Sequence, residues 1–478
     1  DDLQAAKRLV VNLGLRYELN TVLSSPTHTL TNFSPALGLY TPGFDSNAGL
    51  YQPDHTDFAP RVGFAWSATA DGRTVVRGGY GWYYDAIVHY TGPSLNLSYP
   101  ASPVSSISFA PPVPGGLAGV FNPQALVPFP GLGSPAYDQH IRIPYAQHFN
   151  LNVQREIGRD ILVSVGYVGS LGKRVLDERD INQAVYIPGT DAQGNPLSTQ
   201  ANVIFRRPTQ LSGKYNAIIG SINMAETTAS SYYHSFEATF SKRFSHGLSL
   251  LSSYTWSRSI DDATDPLGFA GGSGEPQDST RPDLERGLSI FDMRHRFTAG
   301  VTYSLPFHQN RWTRDWQVNT IISLQSGQPF TPILGFDPSL TGSGNVRPND
   351  VPGAILVKDG HLSFNPSLPV DPVTRIPLAL IPAPGQFGTM GRDTFIGPGY
   401  HNVDISGQRE IRLKEKMRVQ ARLEAFNIFN TANLGLPNRR MTDPLFGIST
   451  RTQDVAGGSP GIGGGGPRVM QVAVKLVF

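Results

Sequence analysis

Cysteine is absent from all 478 residues, which excludes disulfides, thiolate metal sites and cysteine nucleophiles. Charge is scarce: Asp, Glu, Lys and Arg make up 16% of the chain, against about 25% in ordinary soluble domains. The 39 basic and 37 acidic residues almost cancel, so nothing in the balance calls for a nucleic-acid partner. No apolar run reaches the roughly 18 residues of a membrane-spanning helix. The opening Asp1-Asp2-Leu3-Gln4-Ala5-Ala6-Lys7 lacks the apolar stretch of a secretory signal, and the segments that follow lead us to expect sequence ahead of it.

What the chain does have is punctuation and rings. It carries 51 Gly, 39 Pro and 10% aromatic residues, a composition unlike that of helical bundles, coiled coils or disordered tails. Between the Gly- and Pro-rich stretches the apolar residues recur with period 2, which places them on one face of a strand. Leu9, Val11, Leu13, Leu15, Tyr17 and Leu19 alternate with Asn12, Gly14, Arg16, Glu18 and Asn20. Val62, Phe64 and Trp66 alternate with Arg61, Gly63 and Ala65, and Phe297, Ala299, Val301 and Tyr303 with Arg296, Thr298, Gly300 and Thr302. Even the charged stretch Arg409–Phe426 has Ile411, Leu413, Met417, Val419, Ala421, Leu423 and Ala425 at odd positions only, so it reads as two strands and not as an exposed helix.

Twelve such strands are expected, most of about ten residues. Their connections alternate: short at 70–73, 158–160, 245–247, 308–315 and 413–416, long at roughly 21–60, 86–146, 171–233, 260–292, 331–401 and 430–467. Loops that long count against a soluble domain but suit a transmembrane antiparallel β-barrel with short periplasmic turns and long extracellular loops. Phe244, Phe307, Trp312, Trp316 and Phe478 then fall at the short-turn end, and Tyr17, Tyr80, Trp82, Tyr84, Phe149, Tyr167, Tyr254 and Trp256 towards the long loops, as two membrane interfaces require. On the polar parity lie Arg16, Glu18, Arg77, Glu237, Arg296, Asp404, Glu410, Arg418, Arg422 and Glu424, expected to face the lumen. Their mixed signs point to mutual neutralisation across strands more than to solute guidance.

The ordered segments Leu13-Gly14-Leu15-Arg16-Tyr17-Glu18, Phe58-Ala59-Pro60-Arg61-Val62-Gly63-Phe64, Phe291-Asp292-Met293-Arg294-His295-Arg296-Phe297, Ser326-Gly327-Gln328-Pro329-Phe330 and Arg422-Leu423-Glu424-Ala425-Phe426-Asn427-Ile428-Phe429-Asn430 resemble the barrel of TonB-dependent outer-membrane receptors, the Oar-like group most of all. The resemblance implies that residues 1–478 are the C-terminal part of a larger barrel of roughly 22 or more strands. A signal peptide, a carboxypeptidase-regulatory-like domain, a plug and the first strands would precede them. It also implies outer-membrane lipid and the TonB complex as partners. Phe478, with Leu476 and Val474, would be the signal read by the barrel-assembly machinery. The activity implied is energised uptake or export of a large solute of unknown identity; the alternative is a passive porin or a surface adhesin.

Three other constellations read as bland. Asp261, Asp262, Asp265, Glu275, Asp278, Asp283 and Glu285 crowd one loop without an EF-hand spacing and are expected to be solvated, with no metal. Gly461-Ile462-Gly463-Gly464-Gly465-Gly466 precedes a strand and not a helix, so it is no phosphate loop and no cofactor is expected. His148, His234, His295 and His401 stand without a Gly-x-Ser-x-Gly elbow, and no catalytic residues are assigned.

Overall fold

The computed structural model describes residues 2–24, 30–43, 49–87, 134–215, 218–263, 275–307, 315–358, 360–414, 417–453 and 466–477. Among these, thirteen strands follow one another in chain order across a single sheet. They are β1 (Asp2–Ala6), β2 (Leu9–Tyr17), β3 (Phe58–Ser67), β4 (Thr74–Tyr84), β5 (Tyr145–Ile157), β6 (Ile161–Asp180), β7 (Ile222–Ser245), β8 (Leu248–Asp261), β9 (His295–Ser304), β10 (Trp316–Gln325), β11 (Tyr400–Lys414), β12 (Met417–Phe426) and β13 (Val469–Val477). Every neighbouring pair is antiparallel, and β1 and β13 do not pair with each other, so the sheet is open.

All twelve expected strands are present, and one more stands ahead of them. Residues at the chain start that read as a turn form β1 instead, with Leu3 opposite Val11 on the apolar side. Five residues holding one large apolar side chain are too few for periodicity to declare.

Residues directly opposite one another in an antiparallel ladder share a face, so the register tests the parity reading strand by strand. Leu13 opposes Val62, which opposes Tyr80, which opposes Phe149. Tyr167 opposes Phe236, and Phe236 opposes Trp256. Tyr254, Phe297 and Leu324 form the next row, and Leu423 and Val472 continue the face to the last strand. One face is therefore apolar from end to end, and it is uncovered: Leu15, Val472 and Val474 are 71%, 75% and 72% exposed. A soluble sheet would bury such a face, whereas hydrocarbon solvates it.

The core lies elsewhere. Two strands run well past the bilayer span, β6 with 20 residues and β7 with 24. Their upper halves, where the sequence leads one to expect loop, are strand; alternation stops there, since Glu226-Thr227-Thr228-Ala229-Ser230-Ser231 has no apolar face. The strand Ser134–Tyr137 joins this extension in parallel with β7. Long connections gather in three buried clusters, two of which include residues of this extension. One gathers Leu30, Leu50, Tyr51, Tyr137 and Ile141; another Phe33, Ala136, Ile219, Ile222 and Met224; the largest Phe330, Leu334, Val346, Ile376, Leu380 and Met441. The described parts of the long loops thus form a folded cap at one end of the sheet, where hydrophobic burial is available only outside the membrane.

Candidate functional site

The cap is stitched to the sheet by buried arginines. Arg392, in the connection between β10 and β11, donates through Nε to the Glu285 carbonyl at 2.7 Å, through Nη1 to Asp393 at 3.2 Å, and through Nη2 to the Asp261 carbonyl at 2.7 Å and the Asp261 carboxylate. Arg347 donates to the Glu285 carboxylate and, through Nε, to the Met390 carbonyl at 2.9 Å. Arg207 reaches Asp180 at 2.7 Å, and Arg179 holds Glu226 bidentately at 2.7 and 2.9 Å. Arg207 thereby ties the 181–221 connection to the top of β6, Arg392 ties 326–399 to the top of β8 and, with Arg347, to 262–294, and Arg179 joins the tops of β6 and β7. Backbone closeness matters as well. A Cβ on Gly388 would lie 1.9 Å from the Arg347 carbonyl oxygen, so only glycine lets these two segments meet.

The acidic loop is therefore only partly solvated, against the expectation of a solvated loop. Asp261 and Glu285 are 6% and 5% exposed and serve as counter-ions to Arg392 and Arg347. Asp262 gives its carboxylate to the Ser230 amide, and Asp283 stays at the surface with Arg281. Asp265 lies outside the described residues. Composition could not reveal the partners of Asp261 and Glu285, because Arg392 and Arg347 lie 131 and 62 positions away.

Beside Arg179 and Arg392, carboxylates outnumber cations. Asp177, Glu178, Asp262, Glu275 and Glu285 line a cleft of about 20 Å³, room for one water. Burial pushes Asp177 up to about 6, against the hydrogen bonds it receives from Thr228, with Glu226 and Asp262 adding to the rise. Burial, then Glu275 and Asp177, push Glu178 up to about 7. Burial raises Glu275 too. Among the described residues no group of three or more His, Asp or Glu is disposed to hold a metal ion.

These shifts set a pH dependence. Between roughly pH 4 and 7 the folded cap holds protons that the unfolded chain releases, so stability falls as pH rises through that window. Each group accounts for about 3 kcal/mol at most. We expect hydrogen exchange in 218–230 and 275–292, corrected for intrinsic rates, to be slower at pH 5 than at pH 8. The pair Asp177→Asn and Glu178→Gln should flatten the profile. Slower exchange at pH 8 in the unaltered protein would contradict the assignment.

The charged residues singled out in the strands share the face opposite the apolar one. Arg77 opposes Asn152, Asn152 opposes Gly166, Gly166 opposes Glu237, Glu237 opposes Thr255, and Thr255 opposes Arg296. Asp404, Glu410, Arg418, Arg422 and Glu424 continue the face on β11 and β12. Arg16 meets Glu18 at 3.0 Å, Arg418 meets Glu410 at 2.7 Å and Arg422 meets Glu424 at 3.7 Å. Arg77 turns to Gln154, and Asp404 accepts from Asn402 and from the Asn427 amide. Such exposed pairs contribute about 0–1 kcal/mol each. Ile321, opposite Gly300 and Asp404, and Leu251, opposite Ser241 and Gly300, interrupt this face with apolar side chains. Val474 and Leu476 lie on the apolar face opposite Ala421 and Val419; Phe478 lies outside the described residues, as do Trp312 and residues 461–465.

The histidines do not gather into a constellation. His234 pairs with Tyr167 at 2.6 Å and His295 with Tyr254 at 2.8 Å, both on the apolar face, while His148 packs its ring on Tyr83. His401 is tied through its backbone to Asn433. Arg179, Arg207, Arg347 and Arg392 had escaped notice in the sequence. The available signal was slight: Arg347 and Arg392 stand in Gly- and Pro-rich connections, Arg207 follows Arg206 ahead of a proline, and Arg179 sits among acidic residues at the end of β6.

The outer membrane beta barrel domain family matches residues 1–471. None of the curated proteins matches the chain. Among solved structures it is similar to the outer membrane transporter YddB from Escherichia coli, at 10% identity and a TM-score of 0.46, over 90% of this chain and 41% of that one. It is also similar to the ferripyoverdine receptor of Pseudomonas aeruginosa, at 10% identity and a TM-score of 0.45, over 100% of this chain and 37% of that one. For the siderophore receptor PiuA from Acinetobacter baumannii the values are 11%, 0.43, 100% and 42%. The chain thus spans about two fifths of the length of these structures.

Proposed function

The chain belongs to the outer membrane beta barrel domain family, and we propose that it forms the wall and extracellular rim of an energised transporter for a large solute. The observation that carries this reading is the two-faced register that runs through all thirteen strands, with Ile321 and Leu251 as its apolar exceptions. An apolar face meets outer-membrane lipid, and the opposite face, with Arg16, Glu18, Arg77, Glu237, Arg296, Asp404, Glu410, Arg418, Arg422 and Glu424, lines a hydrated passage. The arginine-stitched cap is preorganised, so a solute meets a fixed surface instead of ordering a loop on arrival. In this reading the TonB complex delivers the energy. The alternating Val474 and Leu476, with Phe478, are what the barrel-assembly machinery recognises.

The absence of cysteine makes the test direct. Single replacements Arg77→Cys, Glu237→Cys and Arg296→Cys are expected to react with a membrane-impermeant maleimide in intact cells. Val165→Cys and Val301→Cys should not. Collapsing the proton-motive force should slow labelling of the first set severalfold. Labelling indifferent to energy would point to a passive pore, and silence at all three polar positions would remove the passage itself.

A further inference from the structure

The apolar face ends upward in a graded series of rows, each about 7 Å above the last. Tyr167, Phe236 and Trp256 form one row, 43%, 43% and 53% exposed, and resemble an interfacial belt of rings. The next row brings Gly169, His234 and Arg258 side by side. Above it stand Leu171, Tyr232 and Ile260, with Leu288 beyond, and Lys173 follows one row higher. The Tyr232 ring takes two cations at once: Lys173 Nζ lies 4.7 Å from its centroid and the Arg286 guanidinium 4.8 Å. Lys173 also donates to the Tyr232 hydroxyl at 2.8 Å.

Three cations thus stand on the outward face within a few rows of the belt, and Arg258 and Arg286 are exposed. Among the described residues, none of the three forms an ion pair with a carboxylate. Asp262, one residue past the end of β8 and on this parity, is engaged by the Ser230 amide. Like charges sharing one ring repel each other, and a cation–π contact of about 0.5–1 kcal/mol at an exposed site does not neutralise them. An anion would. The hydroxyl of Tyr232 and the imidazole of His234 supply donors of the kind that phosphate oxygens accept.

We propose that Lys173, Arg258 and Arg286, grouped around Tyr232, bind the phosphorylated headgroup of an outer-leaflet glycolipid whose acyl chains lie along the rows below. The occupant follows from the arrangement: phosphate complementarity above, rings at the boundary, hydrocarbon-facing side chains beneath. The inference rests on the barrel reading, which sets this end of the apolar face at the outer surface.

The test uses the full-length protein reconstituted in phosphatidylcholine vesicles with a small fraction of bis-phosphorylated lipid A. Lipid retained on the protein after detergent exchange is counted by mass spectrometry. The protein should retain lipid A, should lose it when the lipid is dephosphorylated, and should keep it in the presence of inorganic phosphate. Combining Lys173→Gln, Arg258→Gln and Arg286→Gln should weaken retention about a hundredfold, the effect of removing three cations from a charged surface. Lys173→Arg, Arg258→Lys and Arg286→Lys together should restore most of it and show that the fold is intact. Arg281→Gln, Lys358→Gln and Arg375→Gln, an equal charge change elsewhere on the cap, should leave it unaltered. Equal retention by the first variant, or of dephosphorylated lipid, overturns the headgroup site alone. Displacement by inorganic phosphate overturns the choice of a lipid. A protein that fails to float with any vesicle overturns the barrel reading and this inference with it.

Discussion

Replacing Arg392 with methionine is expected to cost the cap about 3–5 kcal/mol, because the change strands the buried carboxylates of Asp261 and Asp393 without their cation. Both carboxylates are nearly inaccessible, Asp393 at 3%, so water cannot replace the guanidinium. The loss should be local. Arg392 joins the 326–399 connection to the top of β8 and to the Glu285 carbonyl, while the ladder below makes its own hydrogen bonds. Hydrogen exchange should therefore rise by orders of magnitude in 281–292 and 326–399, with the strands between Ile161 and Leu324 protected as before. A triple change of Arg392→Met, Asp261→Asn and Asp393→Asn should recover a large part of the loss, since no uncompensated charge is left. If exchange rose throughout the sheet, the cap would be integral to the barrel and not a separable lid upon it.

The second large effect separates two neighbouring isoleucines. Ile322 faces Ala299 and Val403 on the apolar side, and Ile321 faces Gly300 and Asp404 on the other. Ile322→Arg should cost about 2–4 kcal/mol by placing a guanidinium in hydrocarbon, and assembled protein in the outer membrane should fall sharply. Ile321→Arg should be tolerated or mildly stabilising, with Asp404 directly across the ladder. Band intensity of the heat-modifiable folded form in outer-membrane fractions measures both. Equal tolerance of the two arginines would show that neither face meets lipid.

That pair of residues also marks how much could be read without coordinates. Alternation is a local property, and a strand betrays it wherever one face must be oily and the other wet, as in Leu9–Tyr17 or His295–Ser304. The charged positions from Arg16 to Glu424 could be assigned to one face for the same reason. Ile321-Ile322 does not alternate by itself, but Trp316, Val318 and Leu324 put Ile322 on the apolar parity, and the register opposite Ala299 and Val403 agrees; Ile321 is the apolar exception that the ladder sets opposite Gly300 and Asp404. The upper halves of β6 and β7 are held by each other and by Ser134–Tyr137, and so have no reason to alternate. Arg392 and Asp261 are 131 positions apart, and nothing near either one announces the other.

By itself, then, the amino-acid order determined the sheet, its two faces and the medium each face requires, because solvent on either side acts on every strand independently. The folded chain alone decided that the described parts of the long connections form a cap, that buried arginines hold it, and that cations crown the outward rings. Those outcomes depend on contacts between segments distant in sequence, whose cost and benefit exist only once the strands have brought them together.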